Sequence, residues 1–219
     1  MAQATRSTSG LSDDPIENMT DWLQVNAKPV MLGLAGAVLL GAGIFGYRYL
    51  SASKMAEASA ALYQAQQPMV EGKLPEAQAA LQRVSTRYDG TSAGQQATIL
   101  LAQVLYLQNQ YQAGITVLEK AHSGATSDNL PAFEAMTAAG YEGLKDFEKA
   151  AASYAKAADA SAFSKDKGLY HAAQARSLMV AGKSDKAKPI WQELSADQNS
   201  AFGQEARVRL GEIAGAAAR

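Results

Sequence analysis

No cysteine occurs anywhere in this chain of 219 residues, and only two histidines do. The absence of cysteine excludes a disulfide framework and a lipoprotein anchor. His122 and His171 lie far apart, and neither has an acidic or cysteine companion at the spacing of metal ligands. A structural role is expected for both histidines, so the sequence predicts no metal site and no cofactor.

The chain also has no large excess of positive or negative charge. The chain carries 20 Lys and Arg residues and 21 Asp and Glu residues, of which three and four precede residue 50, leaving 17 of each sign beyond it. A neutral domain lacks the clustered basic face that nucleic acid requires, so no nucleic-acid partner is expected. No segment alternates like a strand, no phosphate-binding glycine loop follows one, and no serine lies in a nucleophile elbow. We therefore expect an all-α protein that is not an enzyme.

Charge is absent altogether from the 19 residues Pro29–Tyr47, between Lys28 and Arg48. At about 1.5 Å per helical residue this run is about 28 Å long, close to the thickness of a bilayer core of about 30 Å. The alternative, a buried core helix, usually carries a polar stripe, and this run has none. The sequence predicts a short N-terminal segment over residues 1–28, a single transmembrane helix over 29–49 and a further domain over 50–219.

The flank ahead of the run favours a retained anchor over a cleaved signal peptide. Signal peptides carry a positive first region and a shorter apolar stretch. Here the preceding segment is net acidic, and basic residues are almost equally frequent on the two sides of the run. The charge distribution therefore does not predict which side of the membrane the domain occupies.

Two features near the predicted span are suited to contacts. Gly33, Ala37 and Gly41 recur every four residues on one face, where small residues let another transmembrane helix approach closely. The alternative is that glycine and alanine are simply common in such segments. Ahead of the span, Asp14-Pro15-Ile16-Glu17 has the form of a helix start, and Trp22 is placed to lie at the lipid headgroups.

The domain beyond the span contains an internal repeat. A small residue recurs at intervals of 37, 36 and 37, and an alanine lies twelve residues before each of them. Antiparallel helices pack closely only where the facing residues are small, so each such pair of positions predicts one helix pair. A plain amphipathic bundle is the alternative. We predict a tetratricopeptide-like solenoid of about four helix pairs, closed by a helix near residues 202–217. The small residues are Ala77, Gly114, Ala150 and Ala187, preceded by Ala65, Ala102, Ala138 and Ala175.

Two prolines bear on the helix boundaries. Pro68 is expected to kink or end the first helix of the first pair, because it cannot donate a backbone hydrogen bond. Pro189 falls early in its helix, where the loss of one bond is tolerable.

The order of several short motifs resembles that of the YfgM-like family, from about residue 13 to the C-terminus. Each motif alone is weak, and their order supplies the specificity. They are Trp22-Leu23-Gln24-Val25-Asn26-Ala27-Lys28, Gly43-Ile44-Phe45-Gly46-Tyr47-Arg48-Tyr49, Leu62-Tyr63-Gln64, Glu71-Gly72-Lys73 and Ser127-Asp128-Asn129-Leu130.

The resemblance implies both an orientation and a role. Proteins of that family are single-pass inner-membrane proteins with a cytoplasmic N-terminus and a periplasmic repeat domain. They associate with the SecYEG translocon and with a membrane-anchored periplasmic chaperone of the PpiD type, and they help exported client proteins pass on to folding. None of this follows from composition or from the repeat period, and fold-level likeness is by itself a poor guide to function.

The first helix of each unit in a repeat protein lines the concave surface used for partners. The repeat register places Tyr106 of the second unit and Leu169, Arg176 and Met179 of the fourth on that surface, where they would suit a protein-binding groove. The alternative is that these residues pack between adjacent units, since an error of one residue rotates the face.

The sequence leaves three functions open. The first is a periplasmic scaffold, anchored in the inner membrane and associated with the Sec translocon, that links exported proteins to chaperones. The second is a structural assembly factor for an unrelated envelope complex. The third is an adaptor whose domain lies in the cytoplasm.

Overall fold

The computed structural model describes residue 19, residues 22–197 and residues 200–217. The predicted helix start at Asp14-Pro15-Ile16-Glu17 lies outside the described residues. All regular structure in the part that is described is helical, which confirms the all-α prediction. The helices are α1 (Ala27–Val70), α2 (Leu74–Arg87), α3 (Ser92–Leu107), α4 (Tyr111–His122), α5 (Leu130–Gly143), α6 (Phe147–Ala160), α7 (Ser164–Val180), α8 (Ser184–Ala196) and α9 (Gly203–Ala217).

The chain divides into two units, residues 1–53 and 54–219. In the first unit α1 carries the uncharged run, and its large side chains are exposed, for example Leu39 and Phe45 at 73% each. By length and composition α1 is the one helix among the described residues that could cross a membrane, and none of its apolar stretch is buried. A helix of this kind is compatible with a single-pass anchor.

The second unit consists of antiparallel helix pairs. The part of α1 that follows Lys54 pairs with α2, and α3 pairs with α4, α5 with α6 and α7 with α8. Successive pairs also pack on one another, through α2 against α3, α4 against α5 and α6 against α7, and α9 packs on α8. This arrangement is a tetratricopeptide-like solenoid, as the repeat period predicts.

The tight turns inside the four pairs repeat with the period of the sequence. Two residues beyond the end of each first helix lies a residue with positive φ: Gly72, Asn109, Lys145 and Gly182, with φ of 72°, 61°, 61° and 73°. The next amide then donates to a carbonyl five residues back, in bonds of 2.8–2.9 Å. This is the Schellman termination, which satisfies carbonyls that the helix leaves unpaired. The period of 36–37 residues is therefore present in the backbone and not only in the side chains.

Packing inside the pairs depends on the predicted small residues. All eight of them are buried, which confirms the spacing argument. Four residues after the small residue of the second helix, Leu81, Leu118 and Trp191 are at most 1% exposed and fill the space between neighbouring helices. The helix α1 ends two residues after Pro68, and α8 continues past Pro189, as expected for each proline.

A long connection, residues 123–129, joins the second and third pairs and is held by Gln95 of α3, which is 4% exposed. The Gln95 carbonyl oxygen accepts from Thr126 N at 3.1 Å, from Thr126 Oγ1 at 3.1 Å and from Asn129 Nδ2 at 2.8 Å. Its amide nitrogen donates to Gly124 O at 2.9 Å. One side chain thus bonds to three residues of the connection: Gly124, Thr126 and Asn129.

Replacing Gln95 with alanine is expected to lower the free energy of unfolding by about 2–3 kcal/mol, because several partly buried polar groups lose their partner together. Urea unfolding of the detergent-solubilised full-length chain, followed by circular dichroism, measures this change. The neighbouring Gln96 is exposed, so Gln96→Ala is the matched control and should change the stability by less than about 0.5 kcal/mol. Equal effects of the two substitutions would contradict the role given to Gln95.

Candidate partner-binding surface

Tyr106 of α3 lies in the contact between the second and third pairs and is half-buried. Its hydroxyl donates to Met136 O of α5 at 3.1 Å. Its ring lies against Gly114 of α4 and Gly140 of α5, where an added Cβ would collide with the tyrosine. Burial raises the pKa of Tyr106 well above the usual value, and the neighbouring Tyr141 and Glu119 raise it further. The side chain therefore stays neutral and joins two pairs.

Arg176 of α7 is held by the closing helix α9. Its Nε donates to Glu205 Oε1 at 2.8 Å, and a terminal nitrogen donates to the other carboxylate oxygen. The guanidinium also lies 5.7 Å from the centre of the Phe202 ring. A two-point contact of this kind fixes orientation as well as distance, so the pair sets the position of α9 against α7.

The Arg176–Glu205 pair is expected to make the docking of α9 dependent on pH. The hydrogen bond from Arg176 holds the pKa of Glu205 below its usual value of 4.5. Because the pKa is lower in the folded state, the stabilising contribution is complete above the unfolded value and is lost as the pH falls through the folded value. We expect docking to be independent of pH between 7 and about 5 and to weaken below about 4.5.

The measurement for this pH dependence is hydrogen exchange of the α9 amides as the pH is lowered, corrected for the intrinsic rate. Glu205→Gln keeps the shape and removes the charge, so it should exchange faster at neutral pH and lose the acid-dependent component. Other carboxylates titrate in both proteins and cancel in the difference. An identical pH profile in the variant would contradict the assignment.

Met179 and Leu169, also in α7, differ in exposure. Met179 is half-buried, and its sulfur accepts from Trp191 Nε1 at 3.2 Å. Leu169 is 45% exposed and is the most open of the four predicted partner-binding residues. Tyr106 belongs to the contact of the second and third pairs, whereas the other three lie on α7 of the fourth, so the four form two groups. Their role in partner binding stays a prediction.

Gly33, Ala37 and Gly41 lie on the exposed stretch of α1. A Cβ added at Gly33 or at Gly41 would meet no atom within 4 Å among the residues the structure describes. The face is open to another helix, and its use as a transmembrane contact also stays a prediction.

Two polar clusters between pairs were not found from the sequence. His122 Nε2 of α4 lies 2.7 Å from Glu134 Oε1 of α5, and Glu134 is only 7% exposed. Farther along, Glu142 accepts from the Tyr154 hydroxyl at 3.2 Å and from the Ser177 hydroxyl at 2.8 Å, which links the third and fourth pairs. In the sequence the residues next to Glu134 and Glu142 are mainly apolar. The hydrogen-bond partners of these carboxylates are 12–35 residues away, so no local pattern indicates them.

The cleft of about 330 Å³ beside His122 and Glu134 is lined by further polar side chains, including Tyr141, Ser153 and Lys156. Within the described part of the chain, no group of three or more His, Cys, Asp or Glu side chains is arranged to hold a metal ion. His122 and Glu134 are partners of each other, so the imidazole of His122 on α4 provides a hydrogen-bond partner for the buried Glu134 carboxylate on α5.

Known proteins agree with this architecture. Residues 20–137, more than half of the chain, match the tetratricopeptide repeat-like domain. The chain belongs to this family. The fold is similar to that of two solved structures of a putative kinesin light chain from Podosopora anserina, which contain nearly identical TPR-like repeats. One of the two carries a single substitution. For each, the TM-score is 0.59 and the sequence identity is 13%, over 75% of this chain and 88% of that chain. At that identity the likeness shows the fold alone. No curated protein matches the chain.

Tetratricopeptide repeat-like domains bind protein partners in general, and the four predicted residues lie on first helices of such repeats. Membership of this family supports protein partners as a class and identifies none of them. The finer resemblance to YfgM-like proteins stays a prediction from the order of the sequence motifs.

Proposed function

We propose that this chain is a membrane-anchored scaffold that binds proteins through its tetratricopeptide repeat-like domain. The observation that carries the proposal is one continuous helix, α1, whose first part is an uncharged run with no buried residue and whose last part belongs to the first helix pair. An anchor of this kind confines the repeats to the membrane surface and raises their effective concentration near membrane-bound partners. Weak individual contacts then suffice.

We further propose that the membrane is the bacterial inner membrane, that the N-terminus is cytoplasmic and that the repeats lie in the periplasm. In that location the scaffold would bind the SecYEG translocon, a PpiD-type chaperone and exported client proteins. The resemblance of the motif order to YfgM-like proteins supports this assignment. The equal numbers of basic and acidic residues beyond residue 50 agree with protein partners better than with nucleic acid.

Anchoring is tested by alkaline extraction and ultracentrifugation of membranes from cells that produce the full-length chain. We expect the protein in the pellet. Replacing Leu39 and Leu40 together with arginine should release it, because each charge at the centre of a span costs about 2.5–3.5 kcal/mol. The matched control places two arginines at Gln82 and Gln112, which are exposed on α2 and α4. An intact wild-type chain in the supernatant would refute the anchor.

Location and partners need two further experiments. A reporter enzyme that works only after export, fused to the C-terminus, should be active, and activity of a cytoplasmic reporter alone would favour the adaptor function.

For the partners, a photo-crosslinking residue is placed at Leu169 and, as a control, at the exposed Lys120, in membranes of the native host. Recovery of Sec components or of a periplasmic chaperone, more strongly from Leu169, supports the scaffold. Consistent recovery of another complex favours the envelope assembly factor.

A further inference from the structure

An open groove of about 430 Å³ lies between α1 and α2 in the first helix pair. Its floor is made by small apolar side chains, including Ala65 and Val84, which are 3% and 6% exposed. Its rim on α2 carries Arg83 and Arg87, and both are exposed. An apolar floor beside two cations is suited to an amphipathic segment of opposite charge.

The groove lies on the end of the repeat stack. Ser59, Leu62 and Gln66 of α1 line a cleft that α3 of the second pair completes, so this side of α1 faces the stack. With 3.6 residues per turn, Gln64 and Pro68, which also line the groove, project to the opposite side of the helix. That side is the surface on which a preceding helix would pack, and no described helix covers it.

The other end of the stack shows how such a surface is covered. There α9 places Ala206, which is fully buried, against the cluster around Trp191. Beside this small apolar contact, Glu205 of α9 pairs with Arg176 of α7. The covering helix thus combines a small apolar stripe with a carboxylate directed at an arginine. Terminal surfaces of repeat arrays generally require a capping element with a polar outer face.

Among the described residues, the two arginines of the groove have no such carboxylate. Arg83 and Arg87 are four residues apart on α2 and project from the same side. Arg87 lies 5.6 Å from the centre of the Tyr88 ring, and no described acidic side chain lies within 4 Å of either guanidinium. Two like charges at this spacing repel one another, and an acidic occupant would relieve that repulsion.

We propose that the groove of the first pair binds an acidic amphipathic helix of a partner protein, which caps this end of the repeat stack in trans as α9 caps the other end in cis. The partner helix places small apolar residues on the floor formed by Ala65 and Val84. It directs two carboxylates, four residues apart, at Arg83 and Arg87. This inference rests on the proposed protein-binding function, but not on the identity of the translocon or the chaperone.

The test uses a fluorescein-labelled synthetic helix of about 16 residues, which is about four turns. It is rich in alanine and leucine and has two glutamates four residues apart beside its alanine stripe. Fluorescence anisotropy measures its binding to the full-length chain in neutral detergent micelles. We expect saturable binding by the wild-type chain, and about tenfold weaker binding by the double variant R83E/R87E, since charged hydrogen bonds are lost.

The matched control is K186E/K188E, which makes the same charge change at two exposed lysines of α8 and should bind the acidic helix like the wild type. A second peptide with lysine in place of the two glutamates should prefer R83E/R87E over the wild type. Circular dichroism confirms that the variants are folded. Such an exchange of preference requires direct pairing at Arg83 and Arg87.

Several results would overturn the inference. They are the absence of acidic-helix binding, an equal loss in the two double variants, and equal binding of both peptides by the wild type. Short-chain phosphatidylglycerol that binds only when Arg83 and Arg87 are present, while the acidic helix does not bind, would assign the groove to lipid headgroups instead. If Sec components are crosslinked from Leu169 but the acidic helix does not bind, the groove proposal is refuted and the translocon assignment is not. Peptide binding without any Sec component would refute the translocon assignment alone.

Discussion

Replacing Trp191 with alanine is expected to lower the free energy of unfolding of the fourth helix pair by about 3–5 kcal/mol, the usual cost of removing a large buried aromatic side chain. Trp191 is fully buried, packs with Ala175, Leu194 and Ala206, and donates a hydrogen bond to Met179. The truncation leaves a cavity where α7, α8 and α9 meet. In a stack whose units contact only their neighbours, the loss is concentrated at this end.

The measurement is urea unfolding of the detergent-solubilised full-length chain by circular dichroism, together with hydrogen exchange resolved by helix. We expect α7, α8 and α9 to exchange faster in Trp191→Ala, and α2 and α3 to be almost unchanged. Trp22 is the other tryptophan of the chain and is 58% exposed, so Trp22→Ala is the matched control and should change stability by less than about 0.5 kcal/mol. Uniform destabilisation of all pairs would show a single cooperative domain and contradict the localised effect.

The repeat could be predicted from the sequence because its cause is local. A small residue is required wherever two helices of one pair cross, so Ala102 and Ala138 recur with the same period as the turns that follow them. The turns themselves were not predicted in detail, because two of the four left-handed positions are occupied by Asn109 and Lys145 instead of glycine. Lysine is not typical of positions with positive φ, so the residue type at position 145 does not predict the turn.

The surface of the stack was harder to predict because it depends on rotations between pairs. The repeat register predicts that Tyr106 and Arg176 lie on the concave face. In the structure Tyr106 also donates to Met136 O of α5, and Arg176 donates to Glu205 of α9. A helix turns by about 100° per residue, so a small rotation decides whether a side chain faces solvent or the next pair. The partners of His122 and Arg176 are 12 and 29 residues away, and no local pattern indicates them.

Gly94→Ala is expected to destabilise the junction of the first and second pairs by about 2–3 kcal/mol, although alanine is the better helix former. Gly94 lies in the first turn of α3, where its amide donates to the hydroxyl of the cap residue Thr91 at 3.1 Å. An added Cβ would collide with the backbone carbonyl of Tyr88, which also accepts from the Thr91 hydroxyl at 2.7 Å. Backbone atoms cannot move aside as a flexible side chain does, so the cap of α3 has to open.

The matched control is the same substitution at Gly211, an exposed position within α9 where an added Cβ meets no described atom within 4 Å. There alanine should stabilise the helix by about 0.5–1 kcal/mol, because it loses less backbone entropy than glycine. Urea unfolding of both variants measures the difference, and hydrogen exchange of α3 locates it. The identical chemical change is therefore expected to have opposite signs at the two sites. A stabilising effect at Gly94 would mean that the turn from Tyr88 to Thr91 does not approach α3 as closely as the structure shows.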